Sequence, residues 1–563
     1  MPNARLLTLL AATLVAAGPL NAATDYDPLR TIAVQDGGRT KPLDTFARET
    51  ARRVSGAKPF TGGESVAGLD PVEWVVSMLA GAHSWHQAPI VRVTHAGLRN
   101  AARLPAGRDR FSFNELATHE PFVSAAESVH EKLRRGGRLD PVEQEVATLY
   151  DTLSVMAGLF SGESLRIVPP PSRDPREAWL SLADLEKLPE GQARRLRSLL
   201  SALLSAYQAG DREAVRASGT ALRTRLAEMG GGAYPSSQDL ATELRYNALK
   251  PFRLAWVAYL VAFLLLLASF PLQSRPMAWS GIGFAGLGLG VHSYGMLLRM
   301  LISGRPPVTN MYESVIFVAW GAIVFALVFE AVYRTRYFAA CAAGLAVVCL
   351  ILADNVPILD GSIAPLVPVL RDNMWLTVHV LTITLGYAAF LLAMGIGHLN
   401  LALYFFAPGR TPLLKTMSLF LYRALQVGTL FLAAGTLLGG VWASYSWGRF
   451  WGWDPKETWA LIALLGYLAV LHARFTGWLR DFGMAVGSIV GFLLVLMAWY
   501  GVNFILGTGL HSYGFGSGGY AWIFGFVAFE AAVIAAAFVR KHRSAGAPAA
   551  CRAAEVGVSS AIS

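Results

Sequence analysis

Cysteine is almost missing. Of 563 residues only Cys341, Cys349 and Cys551 carry thiols, two inside an apolar run and one near the C-terminus. No CxxC occurs, so the chain has no disulfide framework, no thioredoxin-like dithiol and no c-type haem attachment sequence of its own. Charge is the second shortage. Asp, Glu, Lys and Arg make up 15% of the chain, against roughly 25% in ordinary globular domains. The deficit is lopsided: residues 1–250 hold 58 charged side chains and residues 251–540 only 24. A water-soluble half precedes a lipid-soluble half, which excludes a cytosolic enzyme, a disordered chain and a secreted disulfide scaffold. The net charge of +10 does not call for nucleic acid as a partner, because Lys and Arg gather at the cytoplasmic loops of membrane proteins.

Residues 1–23 read as a signal peptide or N-terminal anchor: Arg5, an apolar stretch over 6–17, then Asn21-Ala22-Ala23. Residues 24–245 form a head with His83, His86, His95, His119 and His130. Apolar residues recur at helical spacing over 141–160, 193–209 and 213–229, and Gly230-Gly231-Gly232 closes the last of these. The head reads as a mainly helical periplasmic domain. His83-x-x-His86 has the spacing of two metal ligands; a surface for docking a partner is the other reading.

Nine segments from 254 onward are long and apolar enough to span, given that roughly 20 residues cross the hydrocarbon core. They lie near 254–272, 277–300, 312–332, 337–353, 374–406, 418–442, 457–474, 483–502 and 519–539. The fold class is therefore an all-α polytopic membrane protein with a helical head. Residues 246–540 form the membrane domain and 541–563 a cytoplasmic tail. Starting the first span outside leaves eleven Lys and Arg on inner loops and tail, and four (Arg305, Arg371, Arg449, Lys456) on outer loops. That asymmetry supports an outside head.

With this topology the informative segment is an outer loop, 442–459, which holds five of the 15 Trp in 18 residues. It contains Trp442 and then Trp447-Gly-Arg449-Phe-Trp451-Gly-Trp453-Asp454-Pro-Lys-Glu457-Thr-Trp459. An interfacial aromatic belt accounts for Trp at a membrane edge, and Asp454, Pro455 and Glu457 suit a helix start with a capping box. Neither accounts for the density or the glycines. A flat platform of rings suits a large planar apolar ligand.

Outside head and tail there are five histidines: His292, His379, His398, His472 and His511. An ionisable side chain within a span marks function by default, although a lone neutral His also packs as structure. His379 near the outer end of its span and His511 in an outer loop flank the Trp segment in sequence. Two imidazoles and an aromatic platform can hold a haem, its iron ligated axially. His472 falls towards the inner end of its span and belongs to a second, deeper site.

At these residues the chain resembles the haem-handling proteins with a WWD motif, in the CcsA/ResC branch of the System II cytochrome c synthases. Gly304-Arg-Pro-Pro-Val-Thr-Asn310-Met-Tyr312-Glu313-Ser314 is also similar to that branch. The resemblance covers roughly 245–540. It implies attachment of haem b to the CxxCH of apocytochrome c at the periplasmic face of a bacterial inner membrane, a haem lyase activity. It assigns Trp447, Trp451, Trp453 and Asp454 to the reacting site, with Trp442, Trp459 and Arg449 binding the cofactor. His379, His511 and His472 become iron ligands. The partner of His472 comes, in fused relatives, from a ResB/CcsB portion that this sequence does not match, which implies a separate ResB/CcsB-like membrane protein. His398 and His292 are in-chain alternatives. A thiol-reducing partner is implied as well, since the chain lacks a dithiol. Arg305 and Arg371 are candidates for the haem propionates by charge and side. The motif 34–46, Val34-Gln-Asp-Gly-Gly-Arg39-Thr-Lys-Pro42-Leu-Asp-Thr-Phe46, looks like an extension found on some CcsA-type proteins. Two other functions stay open: a haem exporter or chaperone without ligation activity, and a membrane haem oxidoreductase.

Overall fold

A computed structural model describes residues 26–56, 66–137, 139–174, 177–356, 359–366, 373–407, 410–506 and 520–546. The expected signal peptide or anchor, His511, Arg371 and Cys551 lie outside the described residues. Two compact units emerge: one of Met1–Leu254, Tyr294–Arg305 and Gly361–Val367, the other of Ala255–Ser293, Pro306–Asp360 and Pro368–Ser563. Among the described residues the strands form two short two-stranded sheets and most of the rest is helix.

In the first unit β1 (Ala33–Asp36) and β2 (Arg39–Pro42) pair antiparallel. Gly37 and Gly38 both have positive φ, the conformation a two-residue hairpin turn demands. α1 (Leu43–Ser55) follows at once. Its Asp44 is 2% exposed, yet Arg30 donates to it at 2.6 Å and Arg48 at 2.7 Å. Burial pushes the Asp44 carboxyl up, but Arg48 and Arg30 outweigh it and hold the group below the usual carboxylate range. Arg30 also reaches Asp70 at 2.9 Å, and Asp70 caps α2 (Pro71–Leu79) by accepting from the Val72 N–H. One hub thus ties the first helices together.

A second antiparallel pair, β3 (Val91–Arg92) and β4 (Arg110–Phe111), precedes α3 (Glu120–Arg134), α4 (Pro141–Ser161), α5 (Glu190–Gln208) and α6 (Arg212–Gly230). The expected helices at 141–160, 193–209 and 213–229 match the last three within a few residues. α4 starts on a capping box of Asp140 and Glu143 and stops at left-handed Gly162. Trp74, Phe111, Phe122, Met156, Leu196 and Leu226 form the core. His86 stacks on Phe160 at 3.7 Å and His83 stands edge-on to Trp85. Among the described residues no group of three or more His, Cys, Asp and Glu is placed to hold a metal ion. Both rings of the His83–His86 pair lie against aromatic neighbours.

α7 (Ser237–Leu249), α8 (Pro251–Ser269), α9 (Arg275–Ser303), α10 (Met311–Tyr333) and α11 (Tyr337–Asn355) follow. Then come α12 (Leu381–Phe406), α13 (Thr411–Trp447), α14 (Pro455–Phe475), α15 (Asp481–Leu496) and α16 (Tyr520–Gly546). Nine helices among the described residues are long and apolar enough to cross a membrane, and each expected segment falls on one of them. The chain is an all-α, multi-pass membrane protein. In the second unit glycine lets α12 and α13 touch backbone to backbone: a Cβ on Gly386 would sit 3.0 Å from the Leu432 nitrogen. Phe390 of α12 stacks on Tyr467 of α14 at 3.7 Å with parallel planes.

One expectation needs correction. The sixth span was drawn to end at 442, with a loop beyond. α13 runs 37 residues to Trp447, about 55 Å at 1.5 Å per residue, well beyond the ~30 Å hydrocarbon core. Trp442 therefore sits on a helix, Trp459 on the next, and the loop proper is only 448–454. Nothing between Trp442 and Trp447 breaks a helix, and Gly448 in left-handed conformation supplies the stop.

Candidate functional site

Just before α12, Leu376–Val380 winds as a π-helix, a geometry that gathers at functional sites. It carries His379. The ring lies against α13: Nδ1 is 2.8 Å from the Gly435 carbonyl, and the centroid is 5.6 Å from that of Trp442. A Cβ on Gly439 would come 2.7 Å from His379 Cε1. Gly435, Gly439 and Trp442 recur at i, i+4 and i+7, one face of one helix. The glycines make the slot and Trp442 closes its end. The hydrogen bond from Nδ1–H to the carbonyl fixes the tautomer whose Nε2 carries the lone pair, as a metal-binding imidazole requires.

Trp442 is 6% exposed, and its indole Nε1–H is buried with no acceptor among the described residues. Such a donor costs about 1–3 kcal/mol and suits a ligand with an acceptor. Phe450 folds back on Gly440, where a Cβ would come 2.6 Å from its ring.

The loop is tied by one carboxylate. Glu457 accepts from Gly452 N–H at 2.8 Å, Asp454 N–H at 3.1 Å and Arg449 Nη1 at 3.1 Å. Asp454 accepts from Lys456 N–H at 2.9 Å and completes the expected capping box. Both carboxylates are buried. Asp454 caps a helix, which accounts for its place in the motif without a proton-transfer role. Held between these contacts, Trp453 takes φ +57°, uncommon for a bulky residue and a cost of about 1–3 kcal/mol. The residue is 70% exposed.

The flat platform expected from sequence does not form. The Trp451 and Trp453 rings stand 5.9 Å apart at 87°. Alternating a left-handed residue into the loop turns neighbouring rings to different faces, so they make an edge-lined corner. Arg449 Cζ lies 5.8 Å from the Trp447 ring centroid, and the same side chain pairs with Glu457.

The other histidines separate. His472 is exposed in the last turn of α14, with Nδ1 2.7 Å from the Leu468 carbonyl. His398 has both nitrogens engaged, Nδ1 near the Met394 carbonyl and Nε2 2.9 Å from Glu530, a carboxylate 1% exposed. His292 is fully enclosed, 3.2 Å from the Tyr259 hydroxyl. Both in-chain alternatives to an external partner for His472 thus make hydrogen bonds within the helices, His398 through both nitrogens and His292 through Nδ1. His511 and Arg371 lie outside the described residues; the second π-helix, Met497–Leu506, leads to the segment that holds His511. Arg305 donates to the Ala364 carbonyl at 2.6 Å and so has a protein partner already. Sequence reasoning missed the glycine slot, although Gly435-x-x-x-Gly439 is a readable close-packing pattern, and it missed Phe450 and the anchoring role of Glu457.

The family model described as "Cytochrome C assembly protein" matches residues 308–511, a stretch holding His379, the Trp segment, His472 and His511. The CcsA cytochrome c biogenesis protein of Synechococcus sp. (strain CC9902) is 35% identical over 306 residues, 47% of this chain and 98% of that protein. The chain belongs to the CcsA family of cytochrome c biogenesis proteins. CcsA of Prochlorococcus marinus (strain MIT 9215) is 35% identical over 270 residues, 41% of this chain and 81% of its own length. Protein NrfI of Wolinella succinogenes is 33% identical over 501 residues, 84% of this chain. That likeness extends beyond the CcsA-like part into the head. The chain spans about half of NrfI, 53% of its length.

Proposed function

We propose that this chain is a cytochrome c synthase component. It holds haem b as substrate at the periplasmic face of a bacterial inner membrane and attaches it to the CxxCH of apocytochrome c. The observation that carries the reading is His379: its imidazole is fixed through Nδ1 on the Gly435 carbonyl, backed by glycine and closed by Trp442 with its unsatisfied buried N–H. That donor set fits an iron porphyrin, which His379 through its Nε2 and His511 would hold by its iron.

The reaction asks little acid–base chemistry of the protein. Each Cys thiol adds across one vinyl group: a C–S bond forms, the thiol proton ends on the neighbouring carbon, and no net electrons are exchanged. The protein contributes register, turning a slow encounter into a near-unimolecular step. The Trp corner holds the macrocycle with its vinyl edge open, and the substrate's own His displaces one imidazole. Thiols must arrive reduced in an oxidising compartment. The described cysteines, Cys341 and Cys349, sit on α11, so a thiol-reducing partner does this. His472 points from the surface of α14 towards a second haem, completed by a ResB/CcsB-like protein.

The test is a haem stain after denaturing electrophoresis. Cells lacking their own cytochrome c maturation express the chain with a CxxCH reporter, with and without the ResB-like partner. Covalent haem on the reporter, lost in His379→Ala with the membrane protein still present, is the expected result. An unstained reporter alongside a haem-loaded chain replaces the synthase with a haem exporter or chaperone.

A further inference from the structure

The last helix of the membrane domain, α16, touches its neighbours at few places. Glu530, 1% exposed, pairs with His398 of α12. Lys541 lies over the Phe482 ring of α15, 4.4 Å from its centroid. On the α15 side the two helices leave a groove of about 500 Å³. Val490 and Leu493 of α15 form one wall, and Val527, Ala531, Ala535 and Phe538 of α16 the other. The four α16 positions recur at i, i+4, i+8 and i+11, one face of a helix. Ala531 and Ala535 are too short to fill the space between the walls, and the described lining is entirely apolar.

Val527 and Phe538 stand eleven residues apart, about 17 Å at 1.5 Å per residue. That is close to one leaflet of a ~30 Å hydrocarbon core, the depth of a single acyl chain. Just past Phe538 the helix continues as Arg540-Lys541-His542-Arg543, all four exposed. The contact of Lys541 with Phe482 brings this basic turn against the start of α15, where Arg480 is also exposed. The acid beside it, Asp481, pairs with Arg474 at 3.3 Å, and Glu530 is turned to α12. The groove therefore ends at a positive rim.

Positive charge at the end of a span sets topology, but topology needs no groove. Apolar contact alone cannot select an occupant, because bulk lipid tails are as apolar as the walls. The rim can select: each Lys or Arg near the surface is worth about fivefold in affinity for an anionic lipid.

We propose that this groove binds one anionic glycerophospholipid, with an acyl chain along α15 and α16 and the phosphate on Lys541 and Arg543. The site lies wholly within the membrane domain and does not depend on the haem reading.

The test uses the full chain in a neutral detergent, titrated with dioleoyl phosphatidylglycerol or dioleoyl phosphatidylcholine. Native mass spectrometry counts the bound lipids and gives their apparent affinity. One copy of phosphatidylglycerol should bind about 25-fold tighter than phosphatidylcholine, the product of two cations. Lys541→Gln combined with Arg543→Gln should erase that preference. Ala535→Phe, which fills the groove and keeps every cation, should abolish the tight copy. Excess inorganic phosphate should leave the lipid in place.

Equal affinity for the two lipids overturns the proposal, as does a preference that survives in the double variant. Undiminished phosphatidylglycerol binding in Ala535→Phe assigns the lipid to surface charge alone and overturns it as well. Displacement by inorganic phosphate does so by making free phosphate the ligand. If Ala535→Phe fails to accumulate, Ala531→Leu puts the same question one turn away, with the same two outcomes.

Discussion

Replacing Glu457 tests the loop most sharply. Its carboxylate takes three donors, two backbone N–H groups through one oxygen and Arg449 through the other. Glu457→Ala strips all three and leaves Arg449 without its carboxylate. The two backbone hydrogen bonds to a buried carboxylate are worth about 1.5–3 kcal/mol each. Opening the loop also releases the left-handed Trp453, worth another ~1–3 kcal/mol to the open form. At 1.36 kcal/mol per decade, haem attachment should fall at least about a hundredfold. Glu457→Gln keeps a carbonyl oxygen for the two backbone donors and loses only the pair with Arg449, whose side chain is 32% exposed. A pair that open is worth about 1 kcal/mol, so roughly a fivefold loss follows. The assay is reporter haem stain per amount of membrane protein, with acrylamide quenching of Trp fluorescence as a measure of loop opening. Glu457→Ala with wild-type staining would refute the anchoring argument. Gln as damaging as Ala would refute it differently, by assigning the charge itself a role in the reaction.

Three other outcomes follow from the geometry. Gly439→Ala puts a Cβ 2.7 Å from His379 Cε1, an overpacking of about 1–3 kcal/mol; the purified chain should lose its six-coordinate haem spectrum, and retention means the slot is looser than described. His398→Leu leaves Glu530 buried without its partner, so the detergent melting temperature drops, by about 3–5 kcal/mol of stability. Reporter haem per remaining protein stays constant, and adding Glu530→Leu recovers most of the loss; the opposite pattern returns His398 to the iron. In the head, the depressed folded pKa of Asp44 means its contribution is present in full above the unfolded value near 4 and lost as pH falls through the folded value. Asp44→Asn should flatten the acid limb of a protease-resistance profile of the full chain between pH 7 and 3; an unchanged limb assigns the acid sensitivity to other carboxylates.

Composition and periodicity were enough for the fold class, because spanning lipid forces every backbone group into a helix and leaves an apolar run for each. The helix starts were legible for the same local reason: Asp140 with Glu143 and Asp454 with Glu457 satisfy their own nearest backbone donors. The residue types at the site were legible too, since an imidazole in a span and five Trp in 18 residues are costly unless used. What local pattern cannot carry is how side chains from separate helices meet. The perpendicular Trp451 and Trp453 rings depend on one left-handed φ, set by a carboxylate from the following helix. The pairing of His398 with Glu530 spans 132 residues and decides which histidine is structural. His379 gained its slot only when Gly435 and Gly439 came against it, and Arg39 its bond to the Ile363 carbonyl only across 324 residues. The sequence determined the spans, the caps and the kinds of residue present, all set within a turn or two of chain. Tertiary packing decided which of those residues face one another, because hydrogen bonds and ring contacts act over a few ångströms whatever their separation in sequence.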